Sequence, residues 1–340
     1  MYMFKLIAVL FCTFFSFLPI AQMAESSDVA IPEKKIVINI PNRSLTLYIN
    51  GKRTYLFPVA VGTPKTKTPL GTYAILSKEI NPSWIKPEDP TVEIPSGPEN
   101  PLGYRWMQFQ GNYGIHGTNL PGSVGKYVSN GCVRMREADV ETLYDLVPVG
   151  TPVEIIYSRL IIEKNPARVV TYYVYPDEYE YQPLDVEKVN KALSGFGLDA
   201  FVSDGSIRQK LQAEDGQPTY IARVIKLSVN GEMLPAVGAA ADNMVYLPAE
   251  EIAKQLNISL HWDSEKNLLT TPYGTVRGYA KKNHVYMNAM DTEVLYHLEK
   301  DWQTPELLHL KTVEEAVAVP VKPVETNLPP LKAKKEKAVK

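Results

Sequence analysis

Apolar and polar residues alternate with a period of two through residues 34–61, the pattern of strands that bury one face. The stretch "KKIVINIPNRSLTLYINGKRTYLFPVAVG" divides into three β-rich runs, Ile36–Ile40, Leu45–Ile49 and Thr54–Val61. Asn50-Gly51 separates the last two and predicts a type I′ hairpin, because both turn residues must take φ > 0. Residues 71–76, 104–109 and 151–157 read as further strands. Between the first two of these, residues 81–101 carry six prolines. Each proline removes a ladder donor, so this stretch predicts a long loop without regular structure, a candidate lid or binding edge. The period changes at Val140, Leu143, Tyr144 and Val147, which follow i, i+3, i+4, i+7 and predict one amphipathic helix. Glu137, Asp139 and Glu141 suit its positive N-terminal end, and Pro148 stops it. Residues 34–158 therefore predict one mainly β domain with a single helix.

The second half of the chain repeats the contrast on a smaller scale. Residues 159–219 mix a tyrosine-rich extended stretch with one helix near 185–198, and read as a linker or extension. From Tyr220 the pattern is clearer. A hairpin turns at Asn230-Gly231, and "MVYLPAEEIAKQLNISLHWDSEKNLLTT" reads strand, helix, strand, turn, strand. Residues 220–300 thus predict a small α+β accessory domain. Residues 301–340 read as a Pro- and Lys-rich disordered tail, and the last ten residues hold five lysines and one glutamate. Such a cationic end is either a solvated tail or a contact for an anionic envelope polymer.

Composition changes this picture in few places. The net charge of −2 gives no reason to expect nucleic-acid binding. At the N-terminus, Lys5 precedes an uncharged apolar run from Leu6 to Leu18 that ends at Pro19. Thirteen residues make about 20 Å of helix, short of the ~30 Å of a bilayer core. Residues 1–24 therefore read as a secretory signal, or as an N-terminal anchor and sole membrane contact if it is retained. Either way the rest of the chain is expected outside the cytoplasm, in the cell envelope or wall. The chain has two cysteines, Cys12 inside that apolar run and Cys132. Removing the leader leaves Cys132 alone, so no internal disulfide is possible, and a lone thiol is paired between molecules, inert or reactive.

The neighbours of Cys132 favour reactivity. His116, the only histidine before residue 260, lies sixteen residues upstream in "GNYGIHGTNLPGSVGKYVSNGCVRM". Gly117, Pro121, Gly122 and Gly125 lie between them, so that segment can fold back. An imidazole beside a thiol takes its proton or lowers its pKa, the minimal apparatus of a thiol nucleophile. Gly131 leaves room for backbone N–H groups aimed at a developing oxyanion. In an extended chain Arg134 shares a face with Cys132 and can hold a carboxylate bidentately. Each residue alone is commonly structural. The sole mature cysteine and the domain's sole histidine in one glycine-rich segment make a catalytic pair the stronger reading.

"GIHGTN" followed by "SNGCVRM" resembles the signature of L,D-transpeptidase catalytic domains. The similarity extends through "VGTPKTKTPLGTYAI", "NPLGYRWMQF" and "DVETLYDLVPVGTPVEII". The chain departs from the pattern at Asn130, where many members carry a second histidine. The resemblance implies a β-sandwich and a reaction on peptidoglycan stem tetrapeptides. In it Cys132 is the nucleophile, His116 the general acid and base, and the Gly117 carbonyl its orienting group. Gly131 N–H serves the oxyanion, while Arg134, Asn130, Ser129 and Tyr113 contact substrate. D-Alanine leaves, and the amine of a second stem resolves the thioester into a 3→3 crosslink. Donor and acceptor stem peptides are the implied partners, and no cofactor or metal is called for. The 220–300 segment is similar to the copper amine oxidase N-terminal-like domain of envelope proteins. His261, His284 and His297 are too scattered there to imply a metal site. Two readings stay open beside the transpeptidase: an L,D-carboxypeptidase-type cysteine hydrolase, and a non-catalytic wall-binding protein.

Overall fold

The computed structural model describes residues 33–86 and 88–313. The N-terminal segment 1–24 and the lysine-rich residues 331–340 lie outside the described residues. The first unit contains β1 (Lys34–Asn39), β2 (Ser44–Ile49), β3 (Lys52–Pro58), β4 (Val61–Gly62), β5 (Gly71–Ala74) and β6 (Ser77–Ile80). There follow β7 (Trp84–Ile85), β8 (Glu93–Ile94), β9 (Arg105–Gln110), β10 (Tyr113–His116), β11 (Tyr127–Ser129) and β12 (Val133–Arg134). The helix α1 (Glu137–Leu146) and β13 (Pro152–Ile156) complete it. One sheet has the order β3-β2-β1-β13-β5 and a second the order β12-β10-β9-β6. The two sheets close on one core, in which Ile36, Ile38, Leu45 and Leu47 from the first meet Met107, Phe109, Ile115 and Val133 from the second. Val140 and Leu143 are the buried residues of α1. The alternation in β1 and the i, i+3 spacing in α1 thus do what their periods demand.

The hairpin between β2 and β3 turns on Asn50 (φ 51°) and Gly51 (φ 71°), the left-handed pair that a type I′ turn requires. The proline-rich segment differs from expectation. Its prolines are spaced widely enough for a two-stranded ribbon, with Trp84 opposite Ile94 and Ile85 opposite Glu93. Asn100 holds the segment down by donating to the Pro82, Ile94 and Pro95 carbonyls.

The linker expected at 159–219 is part of the second unit. Strands β14 (Leu160–Lys164) and β15 (Val169–Val174) pair with each other, and β15 pairs with β16 (Thr219–Val229). Two α-helices, Val186–Ser194 and Asp204–Ala213, cover them where one was expected. Their tyrosines and valines fill a core of their own around Tyr172, Val174, Val189 and Leu193. The resulting sheet has eleven strands among the described residues, so the accessory unit begins before Tyr220. It also runs past residue 300. Leu298–Thr304 and Leu307–Thr312 form a hairpin, and the second of these strands pairs parallel with β16. Leu308 and Leu310 drop into the core, which is why these residues are not part of a solvated tail.

Candidate functional site

The site grows from the edge of the second sheet. β10 and β12 run parallel, with Ile115 opposite Val133 and His116 opposite Arg134. Side chains two apart share a face, so Cys132, just before β12, turns to the side that also carries Arg134 and His116. All three line one cleft of about 510 Å³. Trp106 and Leu102 form part of its wall, and Trp84, Ile85 and Lys86 of the proline-rich ribbon form its rim.

His116 is buried, 4% exposed, with its ring 5.7 Å from that of Trp106. Its Nδ1 lies 2.7 Å from the Gly117 carbonyl oxygen. A carbonyl only accepts, so Nδ1 carries the hydrogen and Nε2 keeps its lone pair toward the cleft. Burial pulls the imidazole down to about 4 and the Arg134 charge adds to this, while the Gly117 and Leu102 carbonyls oppose it. At neutral pH the ring is therefore an uncharged base.

Burial pushes the Cys132 thiol above its ordinary range, against a hydrogen bond from Gly114 N–H and the Arg134 charge. The sequence leads one to expect a thiol lowered by its histidine. The opposite shift follows because the imidazole is neutral and the sulfur partly enclosed, so nothing repays desolvation of a thiolate. The thiol donates to the Asn112 carbonyl at 3.5 Å rather than to the imidazole. The resting pair is thus neutral thiol and neutral imidazole.

Ser129 and Tyr113, expected to contact substrate, and Gly131, expected at the oxyanion, do other work. Ser129 is 1% exposed; its hydroxyl donates to the Cys132 carbonyl at 2.5 Å and accepts from Gly131 N–H at 3.1 Å. It ties the turn and meets the cleft with almost no exposed surface. The same bond occupies the Gly131 N–H that was expected at an oxyanion, leaving Cys132 N–H unpartnered among the described residues. Gly131 itself takes φ 107°, and a Cβ there would stand 2.3 Å from Cε1 of Tyr113. Tyr113 therefore backs the turn from beneath, packed on the core and stacked on Phe109, and does not line the cleft. Asn130 is exposed and does line it. So does Arg134, whose Nε is buried without a partner while its backbone exchanges two hydrogen bonds with Ala60.

Glu137 was expected only to favour a helix start, and it has a second role at the site. Its Oε2 accepts from Tyr104 N–H at 3.1 Å and its Oε1 from Thr118 N–H at 2.5 Å. The carboxylate lies so close to Gly103 and Gly117 that a Cβ on either would come within 2.0 Å of Oε1. It thereby pins both segments whose carbonyls face His116. The two glycines in "PLGY" and "IHGT" were the available signal, but nothing local says what fills the space they leave. Among the described residues no three His, Cys, Asp or Glu side chains gather as metal ligands would. His261, His284 and His297 stand at separate places on the second unit, with His297 packed on Tyr273.

Residues 33–155 match the family model described as the L,D-transpeptidase catalytic domain. The YqjB protein of Bacillus subtilis is 38% identical over 125 residues, which are 35% of this chain and 68% of that protein. The "Probable L,D-transpeptidase ErfK/SrfK" of Escherichia coli is 32% identical over 227 residues, 55% of this chain and 73% of that protein. A solved L,D-transpeptidase from Mycobacterium smegmatis is 25% identical, with a TM-score of 0.32; the match covers 37% of this chain and 59% of that one.

Proposed function

The chain belongs to the L,D-transpeptidase family, and from that premise we propose that it is an exported acyltransferase that crosslinks peptidoglycan stems through a cysteinyl thioester. The observation that carries the reading is the shared face of Cys132, His116 and Arg134 in one cleft. Arg134, with its buried unpartnered Nε, holds a carboxylate of the donor stem. The Cys132 sulfur attacks the carbonyl carbon that links the third stem residue to terminal D-alanine. As the C–S bond forms, the thiol proton passes to Nε2 of His116 and the carbonyl oxygen becomes an oxyanion. Because the resting thiol is neutral, this transfer accompanies attack, which is general-base catalysis rather than use of a preformed thiolate. The Cys132 N–H, unpartnered among the described residues, serves as a backbone donor for the oxyanion. Collapse breaks the C–N bond, and the imidazolium returns its proton to the leaving amine. The side-chain amine of a second stem then attacks the thioester. Its proton goes to His116, and the departing sulfur recovers it, leaving a 3→3 crosslink and the starting enzyme.

Export and wall contact rest on the apolar residues 6–18 and the lysines of 331–340. Kinship of the 220–300 region to the copper amine oxidase N-terminal-like module rests on spacing in the sequence. The test is intact-mass measurement of the full chain with a stem tetrapeptide, with and without an amine acceptor. A covalent adduct of tripeptide mass on wild type, absent in Cys132→Ala, is expected, with dimer product when acceptor is present. Hydrolysis alone would make the protein a carboxypeptidase. No adduct on wild type overturns the proposal.

A further inference from the structure

One buried tyrosine of the catalytic core does not come from the catalytic domain. Tyr179 is 1% exposed and belongs to the same buried cluster as Ile36, Met107 and Val133, with its ring against Tyr127 and Tyr157, although it lies beyond the matched residues 33–155. Its hydroxyl donates to the Gly62 carbonyl at 2.7 Å and accepts from Thr68 N–H at 3.1 Å. It therefore closes the two ends of the 62–68 loop. That loop is tight, because Gly62 N–H also donates to Thr68 Oγ1 at 2.9 Å. A Cβ on Gly62 would stand 2.1 Å from the Thr66 carbonyl oxygen.

The loop in turn holds the turn that bears the nucleophile. Thr63 N–H and Thr66 Oγ1 both donate to the Ser129 carbonyl, at 3.1 and 2.7 Å. Ser129 Oγ bonds Gly131 N–H and the Cys132 carbonyl. A hydrogen-bonded path thus runs from Tyr179 through the loop to the backbone of Cys132. The far end is equally fixed. Arg159, 3% exposed, donates to the Tyr175 and Gln182 carbonyls at 2.8 Å each and pairs with Asp177 and Glu214. Tyr157 donates to Asp177 and accepts from Tyr179 N–H. Lys67 donates to the Tyr179 carbonyl at 3.0 Å and lies 4.2 Å from the centre of the Tyr181 ring. The strap 177–182 is therefore clamped on both sides, and it belongs to the chain that continues into the second unit.

We propose that Tyr179 is a positioning residue for Cys132, so that the segment after the catalytic domain completes its nucleophile turn. This rests on the reading of Cys132 as the nucleophile. The substitution Tyr179→Phe removes only the hydroxyl that joins Gly62 to Thr68, while the ring keeps its packing. Tyr172→Phe is the control for loss of a buried hydroxyl outside the path, since Tyr172 is equally buried but sits in the second unit's own core with its hydroxyl unpartnered among the described residues.

The full chain is assayed in two ways, with thermal melting alongside. The first is single-turnover acylation by a stem tetrapeptide. The second is the pH profile of Cys132 alkylation by iodoacetamide, which needs no turnover. In Tyr179→Phe, acylation falls about tenfold, the ~1.4 kcal/mol that a misplaced nucleophile readily costs. Alkylation at pH 7 rises several-fold and its midpoint moves down in pH, because a loosened turn lets water reach the sulfur. Tyr172→Phe leaves both at wild-type values. Alkylation profiles of Tyr179→Phe and wild type that superimpose would overturn the inference, even if both acylate. Wild type that never acylates, with the alkylation shift still present, would instead sink the enzymatic reading and leave the coupling standing.

Discussion

Glu137→Gln changes one atom and separates two explanations for the glutamate. As a helix-start charge it acts through the dipole and is worth about 0.5 kcal/mol. As a clamp it accepts from two backbone N–H groups, Tyr104 and Thr118. Hydrogen bonds to an ionised acceptor contribute about 1.5–3 kcal/mol each. Glu137 is only half-buried, so water can replace part of each bond and the lower end applies. Alanine, which removes both bonds, costs about 3 kcal/mol. Glutamine has one oxygen and must turn its NH2 against the other N–H, so it loses one bond and costs about half as much. The Leu102 and Gly117 carbonyls that face His116 sit beside the two clamped residues, so acylation slows by about tenfold even where the fold survives. Urea unfolding and single-turnover acylation measure the two effects. A glutamine variant that unfolds at the wild-type midpoint, or an alanine variant within 0.5 kcal/mol of wild type by the dipole figure above, would refute the clamp.

His116 predicts a window of pH-dependent stability. Its folded pKa, about 4, lies below the ordinary 6.5, so between these values the unfolded chain binds a proton that the folded one does not. Stability therefore falls as pH drops from 6.5 to 4, by about 3 kcal/mol, and His116→Gln flattens the curve in urea titrations across that range. The strap depends on Arg159, whose removal strands Asp177 and Glu214; Arg159→Met costs about 3 kcal/mol, the low end for a broken buried pair because both carboxylates still reach water. Calorimetry checks this, and a melting temperature within 1 °C of wild type, where ~2–4 °C per kcal/mol is expected for a unit of this size, would contradict it.

What could be read from the chain alone was whatever depends on near neighbours. The period-two runs of β1 and β2, the Asn50-Gly51 turn and the face of α1 are properties of a few successive residues, and they recur in the fold. His116 and Cys132 were noticed because both are scarce and share a glycine-rich segment; the parallel pairing of β10 and β12 that unites them is a crossover. The resemblance assigned Ser129 and Tyr113 to substrate and Gly131 to the oxyanion, but a tight turn consumes its own polar groups and needs something behind its glycine. Tyr179 was invisible for a simpler reason. It lies among many tyrosines, and its partners Gly62 and Thr68 are more than a hundred residues away. The linker reading of 159–219 failed likewise, since β14 and β15 are short and gain their sheet only by pairing with β16.

The neutral resting pair has a consequence for when the base becomes strong. The Arg134 charge is one of two causes that hold His116 low, and burial is the larger. A donor-stem carboxylate on Arg134 would cancel most of that charge. Loss of the positive charge raises the imidazole, and the same loss raises the thiol, since Arg134 pulls the thiol down. Both groups thus remain neutral when substrate binds, but His116 becomes the better base for the proton that attack releases. The acid limb of kcat/KM reports free enzyme and that of kcat reports the complex. The kcat limb should therefore lie at higher pH, starting from about 4 for the free enzyme. Neutralising the charge by Arg134→Gln should move the free-enzyme limb up toward the bound one. In that variant the midpoint of Cys132 alkylation rises as well, a check on the thiol that holds even where substrate no longer binds. A kcat limb at or below that of kcat/KM would mean that the carboxylate does not discharge Arg134, and that His116 is tuned by burial alone.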